Sequence, residues 1–251
     1  MKITISEEQR RQLDEVGYFV LEDVFTPEQM RSVARRIEDL EQRMAAKLAA
    51  EGGTGGISRA AEITFNDHLA EKDDAIREFV TRPEFVDITT QILGPDVDLY
   101  WNQSVFKKPE GRKEFPWHQD DGYTPVEPSP YLTLWLALND ATPENGCVSV
   151  LPGSHKRGLV EHWQSPLGLV CYDAGAPDQG VRVPVRAGSM AVFYSLTFHK
   201  SGANTSGGVR KAYVIQYSKA GLRHARTGET LTGEIPVARG GKAPREAAGA
   251  A

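Results

Sequence analysis

Residues Tyr131-Leu-Thr-Leu-Trp-Leu-Ala-Leu-Asn-Asp140 alternate without a break, and this restricts the fold of the chain severely. A period of two keeps one face uniform only on a strand, where successive side chains point to opposite sides. Leu132, Leu134, Leu136 and Leu138 fall on one side, and Tyr131, Thr133, Trp135, Ala137 and Asn139 on the other. The leucine side calls for a helix against it. The aromatic and small-polar side has the character of a cavity lining. Val209 to Ser218 repeats the pattern, with Tyr213, Ile215 and Tyr217 on one side and Arg210, Ala212, Val214 and Gln216 on the other. An arginine directed at a face of small residues needs an anionic partner, because burying an unpaired charge is costly.

From about Val97 to about residue 219, short β-rich runs are separated by Gly, Pro, Asn and Asp, the pattern of an antiparallel sandwich or barrel. Helix signals come earlier. Ser6-Glu-Glu-Gln9 has the form of a capping box, and Gly17 to Leu21 reads as a first strand. Thr26-Pro27-Glu28-Gln29 opens a longer helix, along which Met30, Val33, Ala34, Ile37, Leu40, Met44 and Leu48 form one apolar stripe suited to core packing. It ends at Glu51-Gly52-Gly53-Thr54-Gly55-Gly56, where no Gly-Lys-Ser/Thr follows; this is a loop able to edge a site mouth and not a phosphate cradle. Residues 57–95 read as mixed and mostly helical, with one helix from Arg82-Pro83 to Leu93 stopped by Gly94-Pro95. The expected fold class is mainly β with flanking helices packed on one sheet. A single domain is expected over 1–226, helical over 1–95 and β over about 96–219. The polar, aperiodic residues 227–251 are expected to form a flexible tail.

Charge and cysteine content exclude several classes of function. A net charge of −5 argues against nucleic acid or an anionic membrane as the main partner, but says little about a small anion held by one or two arginines. Cys147 and Cys171 make neither a disulfide framework nor a zinc spacing. Met1-Lys-Ile-Thr-Ile-Ser runs straight into charged sequence, and no run approaches the roughly 20 apolar residues of a membrane span. A cytoplasmic protein with reduced thiols is expected. Oligomeric state is not legible.

The chemistry gathers around Trp117-His118-Gln119-Asp120. On an extended strand, His118 and Asp120 share a face while Asp121 turns away, to support the site from behind or to stand as a solvated acid. His199 follows Asp120 by 79 residues, and Arg210 follows His199 by 11. One imidazole, one carboxylate and a distant histidine make a facial metal set that leaves coordination positions open. The other histidines carry less. His155 sits in a Pro-Gly-Ser-His turn, His162 suits a mouth or a surface equally, and His68 and His224 point to nothing. Cys147 reads as a small core residue. Leu159 to Gln179, rich in Pro, Gly and Asp, is the expected lid or specificity loop, together with Gly52 to Thr64.

Five ordered blocks resemble the phytanoyl-CoA dioxygenase family of Fe(II)- and 2-oxoglutarate-dependent oxygenases. They are Phe115-Pro-Trp-His-Gln-Asp-Asp-Gly-Tyr123, Leu134-Trp-Leu-Ala-Leu138, Asn145-Gly-Cys147, Leu151-Pro-Gly-Ser-His155 and His199-Lys-Ser-Gly-Ala-Asn204 with Arg210. The resemblance implies a double-stranded β-helix, the cupin-like jelly roll. By position it makes His118, Asp120 and His199 the catalytic iron ligands, and has Arg210 grip the far carboxylate of 2-oxoglutarate. It also implies a hydrogen bond from Ser201 near that carboxylate, a pocket lined by Trp135 and Gln103, and, loosely, a reach into the pocket by Arg59. 2-Oxoglutarate would fill two open positions on Fe(II) and O2 the third. Succinate and CO2 would form as a small-molecule substrate is oxidised at a C–H bond. A carboxylate at Asp120, where related halogenases carry a small residue, implies hydroxylation. Desaturation, ring closure or epimerisation would use the same cofactors. Two other readings stay open: a cupin-like metal enzyme without 2-oxoglutarate, which has no use for Arg210, and a non-catalytic 2-oxoglutarate-binding module. The family name does not identify the substrate, and no basic cluster demands a coenzyme A phosphate.

Overall fold

Local signals set the element boundaries in the N-terminal part. The computed structural model describes residues 2–109, 114–172 and 179–244. Helix α1 (Glu7–Val16) begins where the Ser6 hydroxyl accepts from the Gln9 N–H and the Gln9 side chain accepts from the Ser6 N–H. Strand β1 (Tyr18–Leu21) follows. Helix α2 (Pro27–Ala50) starts with the same reciprocal cap from Thr26 and Gln29. Met30, Ala34, Ile37 and Leu48 of its stripe are buried, and Glu41 is buried among them. That carboxylate accepts hydrogen bonds from the hydroxyls of Thr64 and Ser104, which fixes the helix to the sheet behind it.

The glycine loop is shaped into a hairpin of β2 (Thr54–Gly55) and β3 (Ser58–Arg59), and β4 (Ile63–Asp67) follows. Of the stretch 57–95, expected to be mixed and mostly helical, the first part is therefore strand and the helices begin only at Leu69. Ile63, Thr64 and Phe65 are β-branched or aromatic, and they pair with a long strand far along the chain. Helices α3 (Leu69–Lys72), α4 (Asp74–Val80) and α5 (Pro83–Leu93) complete the N-terminal part.

The strands then run β5 (Val97–Lys107), β6 (Phe115–His118), β7 (Val126–Glu127), β8 (Leu132–Ala137), β9 (Val148–Val150), β10 (Trp163–Ser165), β11 (Gly168–Val170) and β12 (Val181–Val183). The last five are β13 (Met190–Tyr194), β14 (His199–Ser201), β15 (Arg210–Lys219), β16 (Arg223–His224) and β17 (Pro236–Ala238). Among the described residues, a nine-stranded sheet has the order β1-β13-β8-β15-β5-β4-β3-β2, with β17 added on β5. A four-stranded sheet has the order β12-β9-β14-β6, and the pairs in both are antiparallel. Inward residues of the two sheets, among them Trp135, Ala212 and Val214 from the large one and Phe115, Val148 and Val150 from the small one, pack into one cluster. This is a jelly roll, the cupin-like double-stranded β-helix.

The helices cover the outer face of the large sheet. Leu132, Leu134, Leu136 and Leu138 join Tyr213, Ile215 and Tyr217 there, packed with Phe25, Met30, Ile37, Phe85 and Ile88. Burying side chains of this size is worth about 1.5–3 kcal/mol each, so the leucine register fixes which face of β8 turns to the helices and which to the cavity.

Past residue 227 the structure differs from the expected tail. Ile235, Val237 and Ala238 are buried, β17 pairs with β5, and Arg239 Nη2 lies 2.6 Å from Asp98 Oδ1. Three apolar side chains in a polar, aperiodic segment suffice to dock it on a sheet edge. Residues 245–251 lie outside the described residues. Cys147 and Cys171 are buried free thiols, and no described helix is long and apolar enough to cross a membrane.

Candidate metal and anion site

His118 ends β6 and His199 begins β14, and the antiparallel register makes them direct cross-strand partners. Their rings lie tilted to one another with centroids 4.1 Å apart, the close approach expected of opposed residues. Asp120 is not on the strand: β6 stops at His118, and Asp120–Gly122 form a 3-10 turn. Gln119 remains extended between them, so Asp120 still returns to the side of His118. One ligand-capable atom from each of His118, Asp120 and His199 lies within 4.8 Å of the other two.

The protonation pattern follows from the hydrogen bonds. His118 Nδ1 lies 2.8 Å from Pro116 O and His199 Nδ1 lies 3.0 Å from Thr197 O. A carbonyl only accepts, so each Nδ1 carries the proton and each Nε2 offers a lone pair. Those Nε2 atoms face Asp120 Oδ1 at 3.8 and 3.5 Å. Burial pushes the imidazoles down, His118 to about 3 with His199 beside it and His199 to about 4, so both are neutral near pH 7. Burial also raises the Asp120 carboxyl, against the pull of His118, Thr133 and Gln216. Two imidazole lone pairs and a carboxylate oxygen converging on one point form a donor set that a divalent metal ion fits.

Asp120 is held from behind. Its Oδ2 accepts from Thr133 Oγ1 at 2.7 Å and from Gln216 Nε2 at 2.8 Å, which leaves Oδ1 for the metal position. Gln119 is fully buried. Its amide donates to Gly158 O and Leu196 O, both at 2.8 Å, and accepts from Val160 N at 2.9 Å. Its backbone N–H donates to His162 Nε2 at 3.1 Å. The residue between His118 and Asp120 thus clamps the 158–162 segment to the end of β6, and His162 serves that clamp. Asp121 is buried and accepts from Ser129 Oγ; burial raises its carboxyl to about 6. It is neither a ligand nor a solvated acid.

At the other end of the cavity lies Arg210, 0% exposed. Nη1 donates to Val105 O at 3.0 Å, the guanidinium sits 5.1 Å from the centre of the Trp135 ring, and Nε and Nη2 have no acceptor among the described residues. Burial lowers its pKa only to about 10, so it stays charged. Opposite it in the register is Lys107, whose Nζ donates to Ser201 Oγ at 3.0 Å, Ser201 O at 3.2 Å and Gly202 O at 2.6 Å. Burial and the adjacent Arg210 pull this lysine down to about 7. Gly146, at φ +83°, lies against the Gly202 carbonyl, where a side chain would collide with it. Arg210, with two nitrogens unmet among the described residues, and the Ser201 hydroxyl therefore face the cavity, with Lys107 behind Ser201, which is the chemistry of a carboxylate site.

The cavity has a volume of about 250 Å³, and seven of the eight residues assigned to it from the sequence line it: Gln103, His118, Asp120, Trp135, His199, Ser201 and Arg210. Arg59 does not; its guanidinium donates to the carbonyls of Gly56, Ser58 and Pro166. His155 bonds the Asp14 carbonyl, a structural role. Part of the expected lid is the β10–β11 hairpin, and residues 173–178 lie outside the described residues. Lys107 was not singled out, although it shares the inward parity of Gln103 and Val105. Thr133 and Gln216 were placed on the cavity faces by alternation, but their bonds to Asp120 are made across strands.

Comparison with known proteins agrees with this geometry. The sequence profile of "Phytanoyl-CoA dioxygenase (PhyH)" matches residues 13–212. A Stutzerimonas stutzeri protein described as a "Probable alpha-ketoglutarate-dependent hypophosphite dioxygenase" is 28% identical over 230 residues, 86% of this chain and 79% of that protein. The peroxisomal phytanoyl-CoA dioxygenase of Bos taurus is 24% identical over 242 residues, 88% of this chain and 70% of that protein. Among solved structures, the non-heme alpha ketoglutarate dependent carbocyclase SnoK from nogalamycin biosynthesis superposes with a TM-score of 0.74 at 26% identity, over 93% of this chain and 96% of that one. EvdO2 from Micromonospora carbonacea, complexed with 2-oxoglutarate, shares the fold with a TM-score of 0.69 at 21% identity, over 91% and 97% of the two chains. The profile match runs from Leu13 to Ala212, through both strands that carry the histidines and through Arg210, and on it the chain belongs to the phytanoyl-CoA dioxygenase family.

Proposed function

We propose that the protein is an Fe(II)- and 2-oxoglutarate-dependent dioxygenase that hydroxylates a C–H bond of a small organic molecule, with succinate and CO2 as co-products. The observation that carries this reading is one cavity holding both a convergent His118–Asp120–His199 donor set and an arginine with unsatisfied donors. A metal enzyme without 2-oxoglutarate would have no use for Arg210.

His118 and His199 present neutral Nε2 atoms to Fe(II), and Asp120 presents Oδ1 while Thr133 and Gln216 hold Oδ2. Arg210 receives the far carboxylate of 2-oxoglutarate through Nε and Nη2. Ser201, with its hydroxyl oxygen taken by Lys107, directs its proton to the same carboxylate. Trp135 and Gln103 wall the co-substrate. Iron with 2-oxoglutarate supplies the oxidising power of dioxygen when bound. The sheets on either side keep water from the reacting atoms. Asp120 fills the position that a halide would need, which favours hydroxylation over halogenation. The two buried thiols suit a reducing cytoplasm.

Fe(II)-dependent formation of succinate from 2-oxoglutarate in air tests the reading, since slow turnover without substrate is measurable. Asp120→Ala is expected to lower it by at least about 100-fold through lost metal binding. Succinate formation by that variant at the wild-type rate would contradict the assignment.

A further inference from the structure

Beyond the metal position the cavity changes character. Tyr100, Trp101, Phe115 and Tyr123 line that part, with Ile57 and Thr124. Tyr100 and Trp101 are consecutive, and on a regular strand one of them would face away. The β5–β15 ladder slips at this point: Gln216 pairs with Trp101 but Tyr217 pairs with Leu99. Tyr100 is the extra residue, and the bulge brings both rings to the cavity, as bulges beside active sites re-aim side chains. The rings are braced by neighbouring rings, Tyr131 being itself part of the lining. Tyr100 packs edge-on against Tyr131 at 4.9 Å and Trp101 against His68 at 4.3 Å. Trp101 Nε1 donates to Gln103 Oε1 at 3.2 Å. On the opposite wall, Phe115 and Tyr123 stand edge-on to His118 at 4.9 and 5.8 Å.

The β10–β11 hairpin roofs this aromatic chamber. Leu169 N donates to Tyr123 Oη at 3.2 Å, and Arg59 Nη2 donates to Pro166 O at 2.6 Å. Gly168, at φ +115°, admits this closeness, because a Cβ there would lie 2.6 Å from Tyr123 Oη and 3.2 Å from Phe115 Cζ.

Charge is absent from the chamber in a specific way. Apart from tyrosines, the ionisable groups among the described lining residues are the triad, Arg210 and Lys200. Lys200 Nζ lies 2.8 Å from Glu114 Oε2 and 5.2 Å from the centre of the Trp117 ring, so a carboxylate already meets its charge. Arg59 is directed at the Pro166 carbonyl of the roof and at the Gly56 and Ser58 carbonyls of the β2–β3 hairpin. Among the described residues, an anionic substrate would meet no uncommitted counter-charge there, and a cationic one no acid except Asp120, which faces the two imidazoles. Flat apolar surfaces, by contrast, meet braced ring faces on two walls.

The geometry points to an uncharged, planar and largely apolar substrate, an aromatic or fused-ring molecule stacked against Tyr100, Trp101 and Tyr123, and not an acyl-coenzyme A thioester or an inorganic oxyanion. This rests on the iron and 2-oxoglutarate reading above. The test uses the anaerobic wild-type protein loaded with Fe(II) and saturating 2-oxoglutarate, whose visible charge-transfer band reports on ligands arriving beside the metal. Four probes are titrated: 2-naphthol, 2-naphthoate, hexanoyl-coenzyme A and hypophosphite. The expected result is a shifted or sharpened band with 2-naphthol, at least about tenfold weaker binding of 2-naphthoate, because its carboxylate is buried unpaired, and no change with the other two. A band that responds to hexanoyl-coenzyme A or hypophosphite, responds equally to the two naphthalenes, or ignores all four overturns the proposal and leaves the cofactor reading standing. A band that never forms overturns the cofactor reading and this proposal with it.

Discussion

Arg210 is costly to bury, because a guanidinium at 0% exposure leaves two nitrogens without acceptors among the described residues. Hydrogen bonds to charged groups are worth about 1.5–3 kcal/mol, so losing those to the far carboxylate weakens binding by roughly 10–100-fold. Arg210→Met is expected to show that loss in calorimetric titration with 2-oxoglutarate. Its apo form is also expected to melt no lower than wild type, since an unpaired buried charge disappears. Unchanged 2-oxoglutarate affinity would remove the arginine from its role. Thr133 and Gln216 act through Asp120, holding Oδ2 so that Oδ1 faces the two imidazoles. Groups that orient a ligand typically account for 10–100-fold in metal affinity, and Thr133→Val is expected to lose about that much for Fe(II) in competition with a chelating dye. A variant that loses thermal stability but keeps its Fe(II) affinity would make Thr133 merely structural. Arg210 and Trp135 were legible in the sequence because alternation alone turns them inward. The Thr133 and Gln216 contacts were not, since they depend on where the 3-10 turn after His118 delivers Asp120.

Two elements do the positioning. The β6–β14 register sets His118 against His199 across one ladder, so residues 81 positions apart in sequence (199 − 118) become neighbours without any loop having to place them. Helix α2 braces the sheet from outside through Glu41, an acid on an otherwise apolar stripe. Burial raises its carboxyl above the ordinary 4.5, outweighing the Ser104 and Thr64 hydroxyls. The native state therefore keeps the proton to higher pH than the unfolded chain does. The stability this residue contributes is full in acid and is lost as pH rises above about 4.5. Glu41→Gln does not titrate, so the difference in melting temperature should move in favour of the variant between pH 4 and pH 8, as read by thermal denaturation. A pH-independent difference would contradict the raised carboxyl. The apolar stripe of α2 was legible from its spacing, whereas the two hydroxyls that make an acid tolerable on it come from β4 and β5.

The whole molecule is a two-sheet shell whose helices lie on one side and whose chemistry lies between the sheets. That division follows from Leu132–Leu138 and Tyr213–Tyr217, whose alternating sides go separately to the helix layer and to the cavity. Strand β4 and the docked segment through Arg239 escaped a reading by pattern. Five residues of β4 and three of β17 are too short for periodicity to show, and both are stabilised by pairing with β5 rather than by local propensity. The central claim is that this shell assembles iron and 2-oxoglutarate at one point. Anaerobic titration of the metal-free protein with Fe(II) and then 2-oxoglutarate tests it most directly, by following the visible metal-to-ligand charge-transfer absorption of the chelate. The structure leads us to expect a saturable band at one equivalent that bleaches in air as succinate forms. Tight Fe(II) binding with no band at saturating 2-oxoglutarate would contradict the account.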